Sequence, residues 1–204
     1  MKKIICYTGL LAALVVCSVT THAQDVQMRA GYNTGMPMGA FKDFMGKNSF
    51  RGYFGEITYP IAEQWKIGLG VQFNDYYEKL PRQVYETKDG TISAVVTNSI
   101  QTTPVLARGA YELTKDHLVR PYVGLGVGFN VIGFNQYLGE FNSSKSLFKP
   151  AASAEAGVNI PFNKITRSTG INVGVHYNYM PLNYNGVDNL NNWGAHLGIF
   201  FPLG

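Results

Sequence analysis

The sequence predicts an all-β fold, an eight-stranded antiparallel up-and-down transmembrane β-barrel. Three observations lead there. Segments of strict apolar alternation recur eight times along the chain. The connections between them alternate long and short. The second face of the strands carries glycine and pairable polar groups, where a solvated sheet would carry lysine, glutamate or threonine. The stretch Pro121–Asn135, PYVGLGVGFNVIGFN, shows the pattern most clearly. Val123, Leu125, Val127, Phe129 and Val131 form one face; Tyr122, Gly124, Gly126, Gly128 and Asn130 form the other. Period two is the signature of a strand with two unlike faces. Glycine weakens a strand unless the sheet curls tightly or other side chains need its space. A soluble lipocalin-like barrel would turn the same apolar face inward around a ligand. The glycines would then form its exterior, a poor match for water.

The N-terminus precedes the barrel. Lys2 and Lys3 form a positive start, Ile4 to Val19 is largely apolar, and Thr21-His22-Ala23 sets small residues at a cleavage site. This reads as a secretory signal peptide over 1–23, leaving 24–204 as one barrel domain. The alternative is a retained anchor, for which the apolar run is short. Val16 stands before Cys17, where a lipid-attachment signal needs a smaller residue. Cys6 and Cys17 both leave with the leader, so no disulfide framework or thiolate metal site is expected. The formal net charge of +4 falls further once Lys2 and Lys3 are removed, and no basic cluster suggests a nucleic acid.

The eight segments fall at about 25–35, 51–60, 65–76, 98–113, 121–135, 148–162, 169–180 and 192–203. Each can cross a hydrocarbon layer, which takes about 9–11 tilted residues. Met36–Phe50, Tyr77–Thr97, Gln136–Leu147 and Pro181–Asn191 are long connections; Ile61–Gln64, Thr114–Arg120 and Asn163–Ser168 are short. The long ones are expected outside the cell, with the short turns and both termini in the periplasm. The outward face carries no charge, as lipid requires, since Arg or Lys at mid-depth costs about 2–4 kcal/mol. Tyr59, Trp65, Tyr111, Phe162 and Phe201 fall near the periplasmic strand ends; Tyr53, Phe73, Tyr179 and Trp193 fall near the outer ends. Two such bands read as an interfacial girdle.

With these features, the chain resembles the outer membrane protein beta-barrel domain family, which includes small OmpX/OmpW-like barrels and many Bacteroidetes relatives. The carriers are Val26–Gly35 (VQMRAGYNTG), Pro121–Asn130 and the closing Trp193-Gly-Ala-His-Leu-Gly-Ile-Phe-Phe. The resemblance implies a Gram-negative outer-membrane location, contact with outer-membrane lipid and lipopolysaccharide, and delivery by the outer-membrane assembly machinery. Such barrels commonly finish on an aromatic residue. Here Phe201 is followed by Pro202-Leu203-Gly204, an atypical tail.

An eight-stranded barrel is just wide enough for side chains to fill it. Arg29, Glu56, Arg108, Glu112, Glu155, His176 and His196 are expected inside, pairing with Gln72, Gln101, Asn130, Asn159 and Asn172. A plug of ion pairs is one reading and a proton or ion path the other. His176 and His196 lack the spacing of a metal site and a same-face serine beside them, so neither metal, cofactor nor catalysis is expected. Lys88-Asp89-Gly90 between alternating runs signals a hairpin in the 77–97 connection. The third and fourth strands are expected to protrude there and to offer edges to an extracellular ligand or protein, or else only to shield the barrel mouth. The functional expectation is a monomeric structural or surface-interaction protein. The alternatives are porin-like passage of small solutes, hydrophobic ones included, and, third, a lipid-modifying enzyme.

Overall fold

The computed structural model describes residues 26–79, 83–87, 90–94, 96–114, 118–138, 141–163, 168–184 and 187–203. The leader expected over 1–23 and the hairpin tip at Lys88-Asp89 lie outside the described residues. The barrel strands are β1 (Gln27–Pro37), β2 (Ser49–Pro60), β3 (Trp65–Lys79), β6 (Val96–Glu112), β7 (Arg120–Leu138), β8 (Phe141–Pro161), β9 (Gly170–Tyr179) and β12 (Asn192–Pro202). They close in the order β1-β12-β9-β8-β7-β6-β3-β2, every pair antiparallel. The end strands meet from Gln27 opposite Pro202 to Pro37 opposite Asn192. No barrel edge is left along that seam, so the backbone needs no water there. Pro202 ends the ladder, and Leu203 N–H still donates to Val26 O at 2.8 Å.

The outward face is as apolar as its alternation implies. Leu69, Leu125, Val127, Leu197 and Ile199 are at least half exposed. Arg29, Glu56, Arg108, Glu155, His176 and His196 on the opposite face are all buried. Soluble packing would invert these two sets. Glycine supplies the room inside. A methyl group on Gly124 would lie 2.9 Å from Cγ of Glu155, and one on Gly70 would lie 2.6 Å from Cδ of Arg108.

The structure departs from the sequence expectation at the loop end. The connection expected over Gln136–Leu147 is mostly strand, because β7 and β8 stay paired as far as Leu138 opposite Phe141. The 77–97 connection holds its own ladder, β4 (Gln83–Thr87) with β5 (Gly90–Ala94), closing at Thr87 opposite Gly90. The short helix α1 (Ala40–Phe44) occupies the first long connection, and β10 (Pro181–Tyr184) pairs with β11 (Val187–Asn189) in the last. Gly39 precedes α1 at φ 56°, a conformation that favours glycine. Gln101 is corrected: it sits opposite Asp75 and beside Gly133 on the outward face, not in the interior. It lies toward the loop end, where an outward polar group no longer meets hydrocarbon.

Candidate functional site

Charge fills the middle of the lumen. Arg29 on β1 reaches Glu56 on β2 at 2.6 Å and Glu155 on β8 at 3.0 Å. Arg108 on β6 reaches the same Glu56 at 3.0 Å and also bonds Glu155. Two cations and two anions therefore alternate in a neutral quartet drawn from four strands, each member under 10% exposed. Buried charges persist only when paired and hydrogen-bonded, and these are both.

Toward the chain termini the network continues. Lys66 Nζ donates to Glu112 Oε1 at 2.7 Å and to Gln27 Oε1 at 2.9 Å. Asn159 Nδ2 also donates to Glu112 Oε1, at 3.1 Å, and Asn172 Nδ2 donates to Asn159 Oδ1 at 2.8 Å. Arg120 lies 3.5 Å from Glu112. Sequence reasoning placed Arg120 in a turn and so missed it; its position just before Pro121 opens β7 instead.

The histidines lie beside the quartet. His196 Nε2 and the Tyr122 hydroxyl are 3.0 Å apart, and the two imidazoles are nearly parallel with centroids 5.8 Å apart. Arg29 stands over the Tyr122 ring at 4.9 Å. Neither histidine is bonded to a serine among the described residues. No three His, Cys, Asp or Glu side chains gather as a metal site among those residues.

Toward the loop end the lumen changes character. Tyr76, Ile100, Leu106, Ile132 and Ala151 point inward from the wall and meet Phe41 and Met45 from the α1 loop. Met180, Leu182, Val187 and Leu190 from the last loop complete this apolar lid. Each Val, Leu, Ile, Phe or Met side chain among them stabilises by about 1.5–3 kcal/mol when fully buried. Polar ties hold the lid down. Met38 N–H donates to Asn191 O at 2.9 Å, joining the first and last long loops. Asn191 Oδ1 in turn accepts from Met180 N–H at 2.8 Å. Asn191 thus ties the first long loop and Met180 together through its backbone and side-chain oxygens. The apolar residues of both loops were the available signal, but they are too scattered to show a period.

Outside, Tyr59, Trp65, Tyr111, Phe162 and Phe201 lie at the termini end of the strands, and Tyr53, Phe73, Tyr179 and Trp193 at the loop end. Trp65 and Tyr111 meet at 5.0 Å, and Tyr53 stacks on Phe73 at 4.8 Å. Among the described residues, the outward face between these two bands carries no charged side chain.

Beyond the loop-end band the strands are unequal. β3, β6, β7 and β8 continue as a projecting sheet after β2, β9 and β12 have ended. Its β3 edge is covered: Gly46 N–H donates to Glu78 Oε2 at 3.1 Å, and Ser49 Oγ donates to Asp75 O at 2.7 Å. Its β8 edge has no second ladder partner among the described residues, although β10 lies beside it. β9 pairs with β8 only from Ala152 onward, so residues 141–151 pair with β7 alone among the described residues.

A closed antiparallel barrel with a charge-free aromatic-bordered belt and a filled polar interior is an integral outer-membrane protein. The model of the outer membrane protein beta-barrel domain matches residues 9–201, and the chain belongs to that family. Neisserial surface protein A is similar in fold, with TM-score 0.52 and 17% identity over 87% of this chain and 96% of that one. OprG of Pseudomonas aeruginosa gives TM-score 0.50 and 18% identity over 86% of this chain and 94% of that one. Among curated proteins, none matches the chain in sequence.

Proposed function

We propose that this barrel is a surface-interaction protein with a sealed lumen, which engages an extended segment of a partner through its projecting sheet. The aromatic-bordered belt is assigned to membrane lipid, with lipopolysaccharide around its outer rim and the loop end facing outside the cell. The observation that carries the reading is the one-sided pairing of β8 over residues 141–151. An open strand edge presents a row of unpaired N–H and C=O groups, a template for another strand. β8 has 21 residues and its neighbour β9 only 10. The surplus corresponds to about 35 Å of strand at ~3.3 Å per residue. The β4–β5 ladder, in the connection where the sequence places a ligand contact, is a second surface of the same kind.

Passage through the lumen is disfavoured by the quartet in the middle and the lid at the loop end. No catalytic role is assigned to His176 or His196.

The test uses the full chain folded in detergent micelles and a valine–threonine strand peptide as probe, with amide shifts of residues 144–149 as readout. Saturable shifts are expected, and they should vanish when alternate peptide nitrogens are methylated. Equal binding by the methylated peptide would overturn the proposal.

A further inference from the structure

Resting on the edge reading above, we infer that the strand β8 accepts is an extended acidic segment, with a carboxylate two residues to either side of an apolar residue. From Ser144 to Pro150 the two faces of β8 are distinct. Lys145 lies opposite Phe134, Leu147 opposite Ile132, and Lys149 opposite Asn130, so these three share the face turned toward the lid. Ser144, Ser146, Phe148 and Pro150 share the other, where Phe148 is 66% exposed and lies against Phe129 at 4.5 Å.

No acidic residue occurs between Ser144 and Pro150. Neither lysine has a carboxylate within ion-pair distance among the described residues. Lys145 instead stands over the Tyr184 ring at 4.7 Å. Among the described residues, two cations without counter-charges therefore flank Leu147 along an edge with no second ladder partner.

A neighbouring strand sets its own side chains directly beside these, at the distance where opposite charges attract and like charges repel. A second copy of this chain meets the repulsive case. Antiparallel self-pairing centred on Leu147 would bring Lys145 of one copy opposite Lys149 of the other. Lysine on an edge strand is a device against such self-association. The same charges favour a foreign strand with Asp or Glu opposite each lysine and an aliphatic residue opposite Leu147. On the other face, an aromatic or β-branched residue would cover Phe148. Pro150 has no N–H to offer and marks the foot of the edge, just before β9 takes over at Ala152.

The experiment compares two nine-residue peptides on the folded full chain in zwitterionic micelles, read by the amide shifts of residues 144–149. Both alternate threonine with a second residue around a central valine. One carries glutamate two residues to either side of that valine and the other carries lysine. Two cross-strand charge pairs should make the acidic peptide bind about tenfold tighter at low salt. The preference should shrink at high salt, since exposed charges are screened. The double variant Lys145→Glu with Lys149→Glu should reverse it; Lys145→Gln with Lys149→Gln should remove it and serves if the reversed chain does not fold. Equal affinity for the two peptides, with binding still abolished by backbone methylation, would sink the acidic preference and leave the edge reading intact. Acidic binding that survives methylation would overturn strand addition itself and leave only an anion surface. Displacement of the acidic peptide from Lys145 and Lys149 by a sulfated oligosaccharide, with no backbone dependence, would be the same contradiction.

Discussion

Replacement of Glu155 by leucine probes the sealed lumen most sharply from inside. In the native quartet each guanidinium has two carboxylate partners, with Arg29 at 2.6 Å from Glu56 and 3.0 Å from Glu155. Glu155→Leu leaves Arg29 and Arg108 to share Glu56 alone, so the buried cluster acquires an uncompensated positive charge. Breaking a buried ion pair from one side costs about 3–5 kcal/mol. At ~1.4 kcal/mol per factor of ten, that is roughly a hundred- to several-thousand-fold in the folding equilibrium. The readout is a urea titration in lipid vesicles, following the heat-modifiable gel band, for wild type, Glu155→Leu and Glu155→Leu with Arg108→Met. The double variant restores neutrality by keeping the Arg29–Glu56 pair, so it should recover most of the loss. A water-filled lumen predicts otherwise. There the single change would cost below about 1 kcal/mol, as an exposed ion pair does, and the two changes would simply add. That result would refute a plugged interior.

Other expectations follow from the same geometry. Leu125 is 69% exposed at mid-strand, so Leu125→Arg should destabilise the barrel in vesicles by about 2–4 kcal/mol; a change near zero would place that face in water. Gly124→Val should cost about 1–3 kcal/mol in urea midpoint terms, because the added carbons meet the Glu155 side chain. If it is neutral, the glycine face is not needed for packing. Phe41→Ala should cost the lid about 3–5 kcal/mol and speed amide exchange in α1 and β10 while β7 and β12 stay protected. Uniform exchange throughout would show that the lid is not a separate unit.

What the sequence disclosed follows from where the bilayer acts on it. Within the hydrocarbon, one face must be apolar at every second residue, so β3, β9 and β12 could be bounded to within a few residues. Above it that demand lapses. Ser144-Lys-Ser in β8 is polar on both faces, and its strand character comes only from pairing with β7. It therefore reads as loop in the sequence, although it lies on the one-sided edge. Gln101 was misplaced for the same reason, since its outward face no longer excludes amides at that height. The quartet was legible as a set of inward charges, but which carboxylate serves which arginine depends on the closure of β1 against β12. Phe41, Met45, Met180 and Leu190 carry no period, so the lid appears only when two distant loops meet over the barrel mouth.

Conductance across a planar bilayer tests the central claim most directly. The full chain, inserted from detergent and verified by its gel shift, should give no unitary current steps. The ion-pair quartet in the middle and the apolar lid at the loop end are expected to block the passage of ions. Sustained, voltage-independent openings from the wild-type protein would contradict the sealed lumen and return the function to passage through the barrel.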